Sequence, residues 1–403
     1  MGALPLIRPA VQAPLDPGFR PPVLINRAFS ERLGGAGVPL ILGLERSGGQ
    51  ISRHKLSVFP DEHPQFEQNL RYVERIVKFL LWQRGGSKLY VGGSDRLAAY
   101  LAGVYSAQGA RSFDYHFLGE QVYEREFQVV GCPIHEVPLA LEAGRPLGRH
   151  LAGNRIGFDL GASDRKVSAV VDGVAIYSEE VPWQPRSQSD PEYHYREIRA
   201  ALQAAASRLP RVDAIGGSSA GIYIDNRPMV ASLFRGVPPE RYGEIRGLFL
   251  RIREELGVPL EVINDGDVTA LAGSMSIEDD GILGIAMGSS EAAGYVDLKG
   301  HILGWLNELA FAPVDYSEQA PVEEWSGDRG CGASYLSQQC VFRLAARAGI
   351  DIPAGLLDVE RLAFVQGRLE AGEAGARRIW ETMGVYLGYA LGHYADFYEI
   401  KHV

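Results

Sequence analysis

Cysteines are few in this sequence and long apolar runs are missing, and each scarcity excludes a class of protein. The 403 residues include three cysteines, Cys132, Cys331 and Cys340, with no Cys-x-x-Cys pair. This disfavours a disulfide framework and a zinc site made mostly of cysteine. No run of about 18 apolar residues is present, so no membrane-spanning helix is expected. The N-terminus lacks the apolar region of a signal peptide, and we expect a reducing, cytoplasmic location.

Positive charge is also scarce. Lys and Arg total 40 against 50 Asp and Glu, which gives a net charge of −10. Such a chain lacks the electrostatic footprint of a duplex-DNA binder, and we expect neither a nucleic-acid nor a membrane partner. What the chain does have is apolar material, 46% of its residues, and 48 glycines. That composition is typical of a globular protein with two or three cores.

Composition and periodicity divide the chain into four parts. Residues 1–37 are rich in Pro and Gly and predict an arm or loop. Residues 38–154 alternate strand and helix patterns and predict an N-terminal α/β extension. Two later series each open with three strands, which predicts a duplicated α/β fold with lobes at 155–262 and 263–403 and a cleft between them. We expect a mixed five-stranded sheet in the first lobe.

The apolar pattern predicts most elements individually. Predicted helices span 66–80, 95–105, 196–209, 245–256, 334–348, 357–370 and 379–391. Predicted strands span 38–44, 88–91, 156–160, 167–171, 174–177, 214–215, 260–263, 282–287, 294–298 and 301–303.

The first chemical motif joins a strand to a tight turn. Asp159 ends the strand, Gly161 permits the turn and Ser163 supplies a hydroxyl. Backbone N–H groups and a hydroxyl suit a phosphate, and Asp159 suits Mg²⁺ or its waters. An ordinary hairpin accounts for the same residues, so both interpretations stay open at this point.

The second motif follows the strand at 260–263. Asn264 and Asp265 stand at its carboxyl end, where α/β sheets place ligand-binding groups. Asp265 is suited to act as a general base toward a substrate hydroxyl. Alternatively, Asp265 or Asp267 caps the next helix, since a cap and a base use the same residue type.

Two further segments complete the set. Gly288, Ser289 and Ser290 form a small-residue turn between two predicted strands and are suited to cradle the terminal phosphates of a nucleotide. Glu308 is suited to accept hydrogen bonds from a polyol, although a surface carboxylate is the commoner fate of Glu.

In order and spacing these four segments resemble the ROK family, the sugar kinases and transcriptional repressors of the actin-like ATPase superfamily. The resemblance covers about 155–403. It implies an α/β, two-lobed, actin-like (ribonuclease H-like) fold with mixed sheets and an interlobe cleft. It also implies ATP-dependent phosphorylation of a sugar hydroxyl, with ATP and Mg²⁺ as cofactors. We expect a small-molecule sugar and a nucleotide as partners, and a homodimer.

The resemblance assigns roles residue by residue. Asp265 takes the place of the family's catalytic base, and Asn264 and Glu308 take the place of sugar-binding residues. Asp159 is also the residue implied for Mg²⁺. The residues implied for phosphate binding are Asp159, Gly161, Ser163, Gly288, Ser289 and Ser290.

Several positions depart from the family pattern. Phe311 stands at the family's zinc- and sugar-binding His, and Glu324 and Ser326 stand at two zinc cysteines, which leaves Cys331. One thiolate does not make a tetrahedral site, so we predict no zinc. Ala333 replaces a second sugar-binding Glu.

The second phosphate turn and the chain's end depart as well. Glu291 adds a negative charge beside that turn, which is unfavourable unless its side chain points away. The second lobe stops short of the family's C-terminal end, and Lys88–Ser94 has the strand–Gly-Gly–helix form of an adenosine loop. Residues 38–154 therefore either substitute for the missing end or form a separate extension. The alternative function is a catalytically degenerate sugar- or nucleotide-binding regulatory protein.

Overall fold

A computed structural model describes residues 4–5 and 7–403 of the protein. The chain forms two compact units. The first unit consists of 1–143, 285–293 and 305–401, and the second unit consists of 144–284, 294–304 and 402–403. The first unit therefore gathers three separate stretches of sequence.

The strands and helices are as follows. The strands are β1 Val38–Glu45, β2 Ile51–Val58, β3 Lys88–Gly92, β4 Gln128–Cys132, β5 Asn154–Leu160, β6 Asp164–Val171, β7 Val174–Pro182, β8 Ala214–Ser219, β9 Ile222–Ile224, β10 Arg227–Val230, β11 Leu260–Asn264, β12 Ile282–Met287 and β13 Glu291–Val296. The helices are α1 Pro22–Leu33, α2 Glu67–Arg84, α3 Asp95–Val104, α4 Ser112–Asp114, α5 Pro191–Ala206, α6 Tyr242–Arg246, α7 Leu248–Leu256, α8 Asp265–Ile277, α9 Gln338–Arg347, α10 Asp358–Glu370 and α11 Ala374–Tyr394.

The first unit contains a four-stranded sheet in the order β2-β1-β3-β4. Strand β1 runs antiparallel to β2 and β3, and β3 runs parallel to β4. Leu40, Leu42, Leu89 and Val91 on the two central strands are fully buried. The continuous apolar run that predicted β1 thus reflects a strand covered on both faces.

Helix α2 confirms the apolar face predicted at 66–80 and continues to Arg84. It ends where Gly85 adopts a φ of +82°, a conformation that favours glycine. A Cβ at Gly85 would lie 2.1 Å from the Tyr123 hydroxyl, so a side chain there is excluded by space as well. Almost every residue of the helix from Tyr72 to Gln83 is buried, including charged ones.

The N-terminal arm is more ordered than the sequence analysis expected. Helix α1 lies within 1–37, where the Pro/Gly content predicted an arm or loop, and that part of the prediction was wrong. The helix starts at Pro22, because proline is favoured in a first helical turn that has no use for its missing N–H. Phe29 of α1 is fully buried and stacks on Tyr72 at 3.9 Å between ring centroids.

The residues ahead of α1 are tied to distant parts of the same unit. The Tyr386 hydroxyl donates to Asp16 at 2.6 Å, and the Leu15 amide donates to Thr382 at 3.1 Å. Residues 7–143, which we call the N-terminal block, therefore share one unit with residues 305–401. The sequence pattern had predicted boundaries at 154/155 and 262/263. Periodicity did not reveal these contacts, since they join residues more than 360 positions apart.

The second unit contains a mixed five-stranded sheet in the order β11-β8-β5-β6-β7, as predicted. Strands β5, β6 and β7 form an antiparallel meander, and β8 and β11 run parallel to β5. Numbered along the sheet, the order is 3-2-1-4-5, the ribonuclease H-like arrangement. The α/β fold class with mixed sheets is confirmed. No helix in the described part of the chain is long and apolar enough to cross a membrane.

Most predicted elements are present, and the differences lie mainly in strands and short helices. The short elements β9, β10 and α4 were not predicted. Strands β2 and β4 were not predicted, because polar residues such as His54 and Lys55 interrupt the apolar pattern of β2 and β4 has only five residues. The predicted strand at 301–303 is reduced to a single bridge between Ile302 and Arg145.

Candidate functional site

Three parallel strand ends of the second unit bring polar side chains to one edge of its sheet. Asp159 on β5 lies opposite Ser218 on β8, and Ser219 lies opposite Asn264 at the end of β11. Asp265 follows directly. Asp159 thus lies at the same sheet edge as Asn264 and Asp265, although it precedes them by about 100 residues in the sequence. This is the carboxyl edge, where such sheets bind ligands.

The Asp265 carboxyl is half-buried and is shaped electrostatically by its surroundings. Burial raises its pKa, and the negative charge of Asp159 raises it further, while a hydrogen bond from the Gly266 amide opposes the rise. Together the two carboxyl groups form an oxygen-rich, negatively charged edge. Such an edge suits a cation or a proton-accepting role.

The cap of helix α8 is Asn264, so the alternative in which Asp265 or Asp267 caps it was wrong. The Asn264 side-chain oxygen accepts from the Gly266 amide at 2.7 Å. Its side-chain nitrogen donates to the Gly221 carbonyl at 2.8 Å. Asp267 instead accepts from the Tyr295 amide at 3.2 Å. Asn264 has therefore a structural task at this edge, and its sugar-binding role stays a prediction.

The first turn, between β5 and β6, is a closed hairpin end. The Gly161 amide donates to the Asp164 carbonyl at 2.9 Å, and the Trp183 indole donates to the Gly161 carbonyl at 2.8 Å. The Ser163 hydroxyl donates to the Asp164 carboxylate at 2.8 Å, which lowers the pKa of Asp164. Ser163 is exposed, so an external phosphate would have access to it.

The second turn belongs to the first unit and joins β12 to β13. Gly288, Ser289 and Ser290 are all exposed. The Gly288 amide donates to the Ser290 carbonyl at 3.0 Å, and the Gly288 carbonyl accepts from the Gln338 amide at 2.9 Å. The turn is thus pinned to the start of helix α9 while its outer surface stays accessible.

Glu291, which follows the second turn, points away from it. The side chain is 3% exposed and accepts a hydrogen bond from the Tyr394 hydroxyl at 3.0 Å. Burial raises the pKa of Glu291 to about 8. The carboxyl is therefore neutral at pH 7 and directed inward, so it adds no repulsive charge beside the turn.

Glu308 is held by the end of helix α2. Its amide donates to the Trp82 carbonyl at 2.9 Å, and the Asn307 amide donates to the Gln83 carbonyl at 2.9 Å. These carbonyls lie in the last turn of α2, where no intrahelical donor satisfies them. The N-terminal block, which sequence analysis treated as an extension, thus directly positions the residue proposed to bind sugar.

Phe311 packs into a cluster of aromatic rings. The Phe311 ring lies 4.3 Å from Trp82 and 5.9 Å from Phe113, centroid to centroid. Burial raises the pKa of Cys331 far above its usual range, so the residue is a neutral thiol. Among residues 4–5 and 7–403 no cluster of three or more His, Cys, Asp or Glu is arranged to hold a metal. The absence of zinc stays a prediction.

No protein-family model matches the chain, and no curated protein matches it. Among solved structures, a ROK family transcriptional regulator, a homolog of the E. coli MLC protein, is 20% identical with a TM-score of 0.47, covering 62% of this chain and 63% of its own. This chain therefore spans less than two thirds of that regulator.

Two solved sugar kinases match similarly. A putative N-acetylmannosamine kinase from Listeria monocytogenes is 16% identical (TM-score 0.46, 62% of this chain and 81% of that one). A ROK family glucokinase from Streptomyces griseus, solved with glucose and AMPPNP, is 18% identical (TM-score 0.45, 61% and 80%). The chain is thus similar to both kinases and regulators of the ROK family, the family that its motifs resemble.

Proposed function

We propose that the protein is a ROK-type carbohydrate kinase that transfers phosphate from ATP to a sugar hydroxyl, with Asp265 as the general base. One observation carries the proposal. Asp159 and Asp265, which occupy the positions of the family's first phosphate motif and its base, meet at the carboxyl edge of a ribonuclease H-like sheet. The order of the four motifs along the chain adds support. Each motif alone is a weak signal, but all four occur in the order that the family shows.

In this proposal Asp265 accepts the proton of the attacking sugar hydroxyl. Its raised pKa makes it a better base than an exposed carboxylate, provided that the pH is high enough to keep it ionised. Asn264 and Glu308 are the proposed sugar ligands. Gly161, Ser163, Gly288, Ser289 and Ser290 are the proposed phosphate contacts.

Mg²⁺ fits the residues present at this edge. Asp159 and Asp265 lie at the same sheet edge and offer the one or two carboxylates that Mg²⁺ takes in nucleotide sites while it keeps several waters. Burial, and to a lesser extent the charge of Asp159, raises the pKa of Asp265, and a bound cation would relieve both effects by stabilising the carboxylate. When bound, the ion would neutralise charge on the phosphates of ATP.

The test is Asp265→Asn, assayed as sugar-dependent ADP release with Mg·ATP and a panel of glucose and N-acetylmannosamine. Asn keeps the size of the side chain but removes the base, which is expected to lower kcat by about 10²–10⁴-fold. Helix α8 keeps its cap because Asn264 provides it, so the melting temperature should not fall. Sugar affinity, measured calorimetrically, should largely survive.

Asp225→Asn is the matched control. Asp225 is exposed, in the same unit, and adopts a φ of +50° that Asn tolerates well. It should behave as wild type. Turnover of the Asp265 variant at the wild-type rate would remove Asp265 from the mechanism.

A non-catalytic sugar- or nucleotide-binding regulator is the second candidate, and the turns favour it. The Gly161 and Gly288 amides are each already bonded within their own turn, to Asp164 and Ser290. Amides engaged in this way are not available to phosphate unless the turns open. Sugar binding by the wild type without any ADP release would support this candidate over the kinase.

A further inference from the structure

A short hairpin at 322–329 of the first unit is unusually well anchored for an exposed segment. Val322 pairs with Arg329, and the Glu323 amide donates to the Asp328 carbonyl at 2.7 Å. The Glu323 carboxylate accepts from the amides of Trp325 at 3.0 Å and Ser326 at 2.6 Å. The hairpin end is therefore fixed by its own hydrogen bonds.

The base of the hairpin is held by a buried charge cluster. Asp328 is 5% exposed and lies 3.2 Å from the Arg75 guanidinium, 3.7 Å from the Lys78 ammonium and 2.5 Å from the Arg111 guanidinium. Charges removed from water cost free energy unless they are closely paired, so a cluster of this kind holds its members in one arrangement. Three cations from the N-terminal block thus fix the position of Asp328.

This rigid hairpin presents an indole to solvent. Trp325 is 68% exposed, and its ring centroid lies 6.5 Å from that of Phe311. Exposing so large an apolar surface on an ordered segment forgoes the stabilisation that burial would give. An indole held on a rigid support loses little conformational freedom when a ligand stacks on it, so less of the interaction is offset.

Phe311 connects this indole to Glu308. The Phe311 amide donates to the Glu308 carbonyl at 3.1 Å in a 3-10 turn. Glu308 immediately precedes this turn, so the segment that carries it adjoins the ring that contacts Trp325. A carboxylate that accepts hydrogen bonds and an exposed aromatic face are therefore presented by neighbouring, independently anchored segments of one unit.

We infer that Trp325 is a stacking residue for a pyranose whose hydroxyls bind Glu308, an inference that rests on the proposed function. A pyranose has hydroxyls around its edge and an apolar face of C–H groups. The edge suits the carboxylate, and the C–H face, slightly positive, suits the negative face of an indole. Ligands that offer hydroxyls without such a face gain nothing from Trp325.

The test measures glucose and N-acetylmannosamine binding by calorimetry to wild type, Trp325→Ala and Trp325→Phe. Loss of stacking in the Ala variant should weaken affinity about tenfold or more, while the Phe variant, which keeps a ring, should recover most of it. Melting temperatures should be equal, because the side chain is exposed. A sugar-dependent change in tryptophan fluorescence should vanish in Trp325→Phe. It should persist in the control Trp380→Phe, which removes an indole on helix α11.

The outcomes separate this inference from the proposed function. If the wild type binds a pyranose and the Ala variant binds it equally well, the stacking role is overturned and the kinase proposal stands. Equal losses of sugar affinity in the Ala and Phe variants would also overturn the stacking role, since an aromatic ring at this position would then add no affinity. If neither sugar binds the wild type at millimolar concentration, both the proposed function and this inference fail.

Discussion

Glu291 shows how one buried side chain determines a pH response. Its carboxyl has a pKa of about 8 in the folded protein against 4.5 for the free side chain. Between these values the unfolded chain has released the proton and the folded protein has kept it. Rising pH therefore favours unfolding across this window, by about 1.4 kcal/mol for each pH unit. Above about pH 8 Glu291 is ionised in both states, so its contribution to the free energy of unfolding no longer changes with pH.

Glu291→Gln removes this titration while keeping an oxygen to accept from Tyr394. We expect the variant to gain stability relative to wild type as the pH rises from 5 to 8, with little difference at pH 4. Urea unfolding at several pH values measures it. Glu31 is an exposed carboxylate of the same unit. The control Glu31→Gln should therefore leave the pH dependence of the free energy of unfolding as it is in wild type. Parallel pH profiles for wild type and Glu291→Gln would contradict the prediction.

Residues at the sheet edge illustrate what sequence could and could not resolve at this scale. The strand-end positions of Asp159 and Asp265 followed from apolar runs that stop at a carboxylate, and the structure places both at one edge. Which residue caps α8 did not follow, because Asn, Asp and Ser all cap well. Asn264 is the cap because its φ and ψ are non-helical and its side chain reaches the Gly266 amide, which only the folded backbone shows.

At the scale of elements, helix α2 is the centre of the first unit. Its carbonyls at Trp82 and Gln83 hold the Glu308 segment, and its Arg75 and Lys78 hold the 322–329 hairpin. Lys78 also bonds Asp114 at 2.7 Å, with both side chains 1% exposed. One helix thus fixes the two segments that carry Glu308 and Trp325.

Asp328→Asn tests the charge cluster. The change leaves buried cations without one of their partners, and breaking a buried pair in this way costs about 3–5 kcal/mol. Chemical denaturation should show that loss. Glu318→Gln is the control, since Glu318 pairs with Arg71 at 2.8 Å but is 82% exposed. An exposed pair is worth about 0–1 kcal/mol. Similar losses in the two variants would argue against a special role for the cluster.

The same elements show where periodicity was sufficient. Helices α9, α10 and α11 and strands β5 to β7 lie where apolar spacing predicted them. Helix α1 was missed because glycine and proline on both sides of it outweighed its apolar positions. The burial of Arg75, Lys78 and Glu74 also went unpredicted, since charged residues on a helix are normally solvated.

At the scale of the whole molecule, the N-terminal block and residues 305–401 behave as one body. Arg27 on α1 pairs with Asp396 at 3.2 Å, and Val23 of α1 lies close to Gly392 on α11. These contacts predict that the two stretches unfold together. An extension with a core of its own would unfold independently.

Phe29→Ala distinguishes the two possibilities. Removing this buried ring should cost about 3–5 kcal/mol. Hydrogen exchange should then accelerate alike in α2 and α11, although α11 is more than 300 residues away in the sequence. Helix α5 of the second unit provides an internal reference. Faster exchange in α2 with unchanged protection in α11 would indicate an independent N-terminal domain.

The sequence by itself determined most local elements, the strand series of the five-stranded sheet and the chemical type of each candidate site residue. These depend on apolar spacing and side-chain chemistry over a few neighbouring positions. The tertiary structure decided which distant segments share a core, where Glu291 points and what anchors Glu308 and Trp325. Such features depend on burial and on contacts between residues hundreds of positions apart, because desolvation and close packing exist only once the chain has folded.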